Sequence, residues 1–138
     1  MSASENKALV QRLFEQGMNE RKPEIFNECV AANFVNHDLP APTPGPEGFL
    51  QSFRVFEAAF PDLQVHLDEV LAAENDTVVT RSRWTGTHKG EFMGVPASGT
   101  SVEVKFIDIW RIENGLLTES WVRMDFVGLM QQVGAIPS

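Results

Sequence analysis

The sequence predicts an α+β domain, with N-terminal helices packed on a curved antiparallel or mixed sheet. Three observations lead there. Apolar residues recur at helical spacing as far as Phe60; from Leu63 the period changes to two; and Glu113-Asn114-Gly115 separates two alternating runs, as a hairpin turn does. Helices that precede an antiparallel sheet in the chain make an α+β architecture.

Each element has its own cause. Ser2 and Glu5 stand at capping-box spacing, and Val10, Leu13, Phe14, Gly17 and Met18 follow on one helical face. Asn19 to Lys22 end that helix. Pro23 opens a short second one whose buried face is Ile25, Phe26, Cys29 and Val30. Pro40, Pro42, Pro44 and Pro46, half of the chain's 8 prolines, then form a stiff lip with neither helical nor alternating pattern. Pro46 opens a third helix carrying Phe49, Phe53, Phe56 and Phe60 as one aromatic stripe, and Pro61-Asp62 stops it.

The strands come next. "LQVHLDEVLAAE" alternates, with an irregularity expected at Glu69-Val70. Glu74-Asn75-Asp76 turns into "TVVTRSRWTGTH". A Gly-rich loop from Gly90 to Gly99 leads to the long strand "TSVEVKFIDIWRI", paired through its hairpin with "LLTESWVRMDF". "VGLMQQVG" suits a terminal helical turn. The Phe stripe needs an apolar partner, and the concave face of a twisted sheet provides one. A helix laid across such a sheet leaves a cone whose wide end is a pocket.

The composition narrows the function classes. At 138 residues the chain is one domain, 1–138, long enough to bury a core without metal or disulfide support. Cys29 has no bridging partner, and no Cys/His cluster suggests zinc. Nineteen acidic against eleven basic residues, net charge −8, argue against binding nucleic acid or anionic membranes. "MSASENKALV" lacks the pattern of a signal peptide, and no apolar run nears the roughly 20 residues a membrane span needs. A reducing cytoplasmic setting is expected.

In "SVEVKFIDIWRI" one face holds Val102, Val104, Phe106, Asp108 and Trp110. Charges bound the opposite face, where Ile107 and Ile109 form an apolar spot that a second subunit could cover. Asp108, between Phe106 and Trp110, is costly there unless paired or protonated. Either an arginine or loop donors satisfy it, or desolvation raises its pKa into the range useful for acid–base work. A three-residue turn at the hairpin would set Asp108 opposite Ser120, with Thr118, Ser120, Val122 and Met124 inward. A two-residue turn would bring Glu119, Trp121, Arg123 and Asp125 inward instead. Arg81 reads as solvated, or as an inward partner for Asp108 or an anionic group. Asp125 is placed to cap the last helix.

With these elements in place, the chain resembles the SnoaL-like polyketide cyclases of the nuclear-transport-factor-2-like superfamily (NTF2-like). "FVNHDLPAPTPGPEGF", "FPDLQVHLDEVLAAENDTVVTRSRWTGTHKGEFMGVPASG" and "IDIWRIENGLLTESWVRMDFVGLMQQVG" carry the resemblance. It implies an NTF2-like cone, often dimerised through the sheet, with no metal and no organic cofactor. It also implies ring closure by intramolecular aldol condensation, with an acidic residue moving the proton. That acid usually follows the tryptophan of the last strand, where this chain has Val122. The neighbouring-strand position, often a His in the family, falls at Asp108.

The expectation is therefore an enzyme of cyclase type, or of related lyase or isomerase chemistry, on an apolar carbonyl-bearing small molecule. Asp108 is the expected acid–base. His37, held by the stiff lip, is the expected donor to the developing oxyanion, its structural alternative being a hydrogen bond to backbone. Trp84, Trp110, Phe106, Phe53 and Phe56 would shape the substrate, with Val122, Arg81 and His88 also expected to contact it. His88 otherwise reads as a surface residue, the alternative being that its loop, with Phe92 and Met93, forms a lid. With no tyrosine in the chain, an oxyanion donor must be His, Trp, Arg, Asn or backbone. The competing expectation is a non-catalytic module that binds a hydrophobic metabolite in the same cone, or a dimerisation module whose cone the ten Phe fill.

Overall fold

The computed structural model describes residues 1–138. Helix α1 (Ala3–Arg12) starts at the expected capping box, Ser2 Oγ accepting from the Glu5 N–H at 3.1 Å. It runs straight into a π-helical stretch (Leu13–Asn19). Such widened turns re-aim side chains and recur at functional sites; here Phe14 and Met18 both reach the interior space. Helix α2 (Pro23–Cys29) carries Ile25, Phe26 and Cys29 inward, as its spacing predicts, but ends before Val30, which was expected on the same helical face.

The chain then does what the sequence did not reveal. Val30–Asn36 is a strand, β1, joined to α2 without a break. It lies parallel to the last strand, so the sheet is mixed. Helix α3 (Gly45–Ala59) has Pro46 in its first turn and follows the proline lip. Gly45 holds φ +86°, and a Cβ there would lie 2.7 Å from the Ala32 carbonyl oxygen, so only glycine lets the lip close onto β1. Strands β2 (Gln64–Ala73), β3 (Thr77–Thr87), β4 (Ser101–Glu113) and β5 (Leu116–Met124) follow, then α4 (Phe126–Gln132). The five strands stand in the order β1-β5-β4-β3-β2. Asp125 caps α4, its Oδ1 accepting from the Gly128 N–H at 2.8 Å.

Two irregularities set which side chains point inward. In β2 the extra residue is Asp68, one place before the expected break. In the β4–β5 hairpin the expected three-residue turn is not found. Glu113 pairs with Leu116 around the two residues Asn114 and Gly115, both at positive φ. A bulge at Thr118 then restores the inward set, so Ser120 and Val122 still face the helices while Asp108 pairs with Val122 and not with Ser120. Val78, Thr80, Ser82 and Trp84 of β3 share that face, and all are buried. The helices and the concave sheet face thus enclose one continuous core, and no helix is long and apolar enough to cross a membrane.

Candidate active site

A cavity of about 540 Å³ opens in the cone. Phe49, Phe53 and Phe56 of α3 form one wall, facing Trp84, Phe106 and Trp110 of the sheet. Phe14 and Met18 close the inner end, and Leu39, Pro40, Ala41, Thr43 and Pro44 of the lip make the rim. The cone is therefore not filled by its phenylalanines.

Asp108 sits in this wall, only 5% exposed. It meets neither an arginine nor loop donors. Its one protein hydrogen bond comes from the Thr80 hydroxyl, 3.3 Å from Oδ2. Burial pushes its pKa up to about 8 from the ordinary 3.8, outweighing the Thr80 hydrogen bond, which acts the other way. No other residue lining the cavity is titratable. The carboxyl is thus mostly protonated at neutral pH, yet close enough to titration to give and take a proton.

The other polar groups of the wall are neutral. Asn36 Oδ1 accepts from the backbone N–H groups of Asp38 and Leu39, each at 2.9 Å. Those two bonds fix the amide orientation and leave its Nδ2 uncommitted. Ser52 donates to the Pro40 carbonyl at 2.7 Å, tying α3 to the lip. Both indole N–H groups are occupied: Trp84 donates to Met124 Sδ at 3.4 Å and Trp110 to Thr80 Oγ1 at 3.0 Å.

Of the residues singled out from sequence, Asp108, Phe106, Trp84, Trp110, Phe53, Phe56 and Val122 are brought together around the cavity. Three are not. His37 lies beyond the rim on the outer side of the sheet, its ring stacked on Trp121 at 4.8 Å and its Nε2 2.9 Å from Glu119. β1 ends at Asn36, so the residue after it swings out over β5. Arg81 points outward and pairs with Glu69 at 3.3 Å, because its neighbours Thr80 and Ser82 take the inward positions. His88 is fully buried against Phe60, at 5.3 Å, but away from the cavity. Its Nδ1 takes the Ser98 N–H at 3.1 Å, so it fastens the base of the Gly-rich loop. Phe92 of that loop packs on Phe56 and Phe60 at 5.2 and 5.5 Å, while Met93 is exposed.

Sequence reading missed Asn36 and Thr80. Asn36 ends a strand that had no visible pattern, and Thr80 gains meaning only from its pairing with Asp108 across β3 and β4. No three His, Cys, Asp or Glu side chains converge as a metal site would require.

The chain is similar to known proteins over nearly its whole length. The profile of the family described as SnoaL-like polyketide cyclase matches residues 8–133. The aklanonic acid methyl ester cyclase DnrD of Streptomyces peucetius is 28% identical over 130 residues, covering 91% of this chain and 88% of DnrD. The structure of TsrD from Streptomyces laurentii superposes with a TM-score of 0.89 at 28% identity, over 99% of both chains. IdmH from Streptomyces antibioticus does so with 0.80 at 29% identity, over 94% of this chain and 98% of that one. The apolar cone, its mixed sheet and this near end-to-end match together place the chain in the SnoaL-like polyketide cyclase family.

Proposed function

We propose that the protein closes a ring in a neutral, apolar polyketide-type molecule by intramolecular aldol addition, with Asp108 moving the proton. The observation that carries this reading is a single titratable group in a cavity otherwise lined by neutral, mostly apolar side chains. The Asp108 carboxylate removes the acidic proton between two substrate carbonyls. The enolate carbon attacks a second carbonyl carbon, forming the C–C bond. The alkoxide so formed takes the proton back from the Asp108 carboxylic acid. Bonds and electrons balance within the substrate, so the step draws on no cofactor. Asn36 Nδ2 is the side-chain N–H left to stabilise the developing oxyanion, in the role expected of His37.

The lining also supports a neutral substrate. No Lys, Arg or His faces the cavity, so a free substrate carboxylate would be buried unpaired. An esterified acid avoids that cost, and DnrD is named for a methyl ester. A volume of about 540 Å³ lies in the range that encloses a drug-sized ligand.

Because the cycle begins with ionised Asp108, kcat/KM should rise with pH and level off above about 8. Asp108→Asn should lower kcat by at least about 10³-fold, in line with losing both proton transfers, while the fold is retained. Turnover within tenfold of wild type in that variant would exclude Asp108 as the acid–base. A second reading, binding of a hydrophobic metabolite without turnover, is favoured by Val122 at the position where the family's acid is expected. It requires saturable binding with no cyclised product at any pH.

A further inference from the structure

We propose that Thr80 is a positioning residue that decides which oxygen of Asp108 exchanges the proton: the Thr80 hydroxyl holds Oδ2, leaving Oδ1 as the reactive atom. The inference rests on the acid–base reading of Asp108 but comes from a different set of contacts. Trp110 Nε1–H can only donate, and its acceptor is Thr80 Oγ1 at 3.0 Å. A hydroxyl that accepts from the indole directs its own proton elsewhere, and Asp108 Oδ2 stands 3.3 Å away. Thr80 and Trp110 are 0% and 2% exposed, so no solvent competes for either bond. Thr80 and Asp108 are direct cross-strand partners, which fixes the spacing through the backbone.

The consequence follows from valence. Oδ2 receives a hydrogen bond whether Asp108 is ionised or protonated, so in the acid form the proton resides on Oδ1. Oδ1 has no protein partner and is not among the sealed polar atoms, so it opens to the cavity. Nothing else that titrates can set this orientation. The elements around the cavity present only neutral groups to Asp108, with Asn36, Thr43 and Ser52 the polar ones among them. The nearby cations Arg81 and Arg123 are on the opposite face of the sheet.

Substitutions at Thr80 separate orientation from packing. Thr80→Val keeps the shape and removes the donor, whereas Thr80→Ser keeps the donor. The Asp108 carboxyl is followed by ¹³C NMR titration of ligand-free protein labelled at aspartate, with its signal assigned from Asp108→Asn. Losing a hydrogen bond that favours the ionised form should raise the Asp108 midpoint in Thr80→Val by about one pH unit, a tenfold change in acid dissociation. Thr80→Ser should stay within a few tenths of a unit of wild type. On substrate, Thr80→Val should lose about tenfold in kcat/KM at pH 7 and regain most of it on the alkaline plateau, with KM unchanged. Should the valine variant not fold, Thr80→Ala is titrated in its place. An unmoved or lowered midpoint overturns the proposal, as does a serine variant that behaves like valine. The titration needs no substrate, so an active Asp108→Asn would remove the functional reading while leaving the test of the Thr80–Asp108 contact standing.

Discussion

Asp108 shows how one residue carries both a cost and a chemistry. Its folded pKa lies near 8 against an ordinary 3.8, because burial disfavours the ionised form. Between those values the folded state binds more protons than the unfolded state, so stability falls as pH rises from about 4 to about 8 and the full penalty applies above that. An amide has no such dependence. Asp108→Asn should therefore be more stable than wild type at pH 9, by on the order of a few kcal/mol, with the gap closing towards pH 4. Denaturant titrations of both proteins at the two pH values measure it; a gap independent of pH would mean that Asp108 is not desolvated. This residue was legible from sequence because a carboxylate on the apolar face of an alternating strand breaks a local rule. His37 was equally conspicuous, yet neither it nor Asp38 lines the cavity, and the strand that carries the chain past Asn36 to the outer side left no pattern from which to read this.

At the scale of elements, the lip is held by the other half of that dipeptide. The Asp38 carboxylate accepts the Val122 N–H at 2.8 Å and pairs with Arg123 at 2.8 Å. The bond from Val122 is the larger reason its carboxyl titrates below the ordinary 3.8. β1 runs parallel to β5, and the His37 N–H still reaches the Ser120 carbonyl at 2.9 Å. Asp38 then takes the place a strand carbonyl would have filled, so the lip is fastened at Val122, the residue paired with Asp108. Removing this acceptor in Asp38→Ala should speed hydrogen exchange at the Val122 amide by about tenfold or more and weaken ligand binding with little change in kcat. Exchange at wild-type rates would show that the prolines alone hold the lip. Since folding lowers this pKa, the clamp is present above about pH 4 and fails only as pH drops through the depressed folded value. The sequence hid β1 because Ala31, Ala32 and Asn33 have low strand propensity and its parallel partner lies far along the chain. The hairpin succeeded by compensation: the turn was one residue shorter than expected, and the Thr118 bulge returned the same side chains to the inner face. The Thr80–Asp108 pairing stayed invisible because the residues from His88 to Thr100 separate β3 from β4, and such a loop does not fix a register.

The whole molecule uses the two faces of its sheet differently. The inner face carries the cavity; the outer face presents Ile107 and Ile109, 48% and 41% exposed, beside Trp121. Alternation also sends Arg81, Arg83, Lys105, Arg111 and Arg123 to that outer face. Its charges are largely answered locally, Arg83 lying 3.4 Å from Asp68 and 3.7 Å from Glu103, and Arg81 3.3 Å from Glu69. In a chain of net charge −8, a locally balanced surface with an apolar centre is the one on which two copies meet with least repulsion. We propose a homodimer formed through this face, and two measurements bear on it. Wild type should sediment as a dimer at micromolar concentration, more firmly in 0.5 M salt than in 0.05 M, because screening weakens the residual repulsion between two acidic bodies while the apolar contact persists. Ile107→Glu with Ile109→Lys should give a folded monomer with Asp108 still titrating near its wild-type midpoint, since both changes lie across the sheet from the cavity. A wild-type chain that sediments as a monomer at both salt concentrations would leave that apolar spot as ordinary exposed surface.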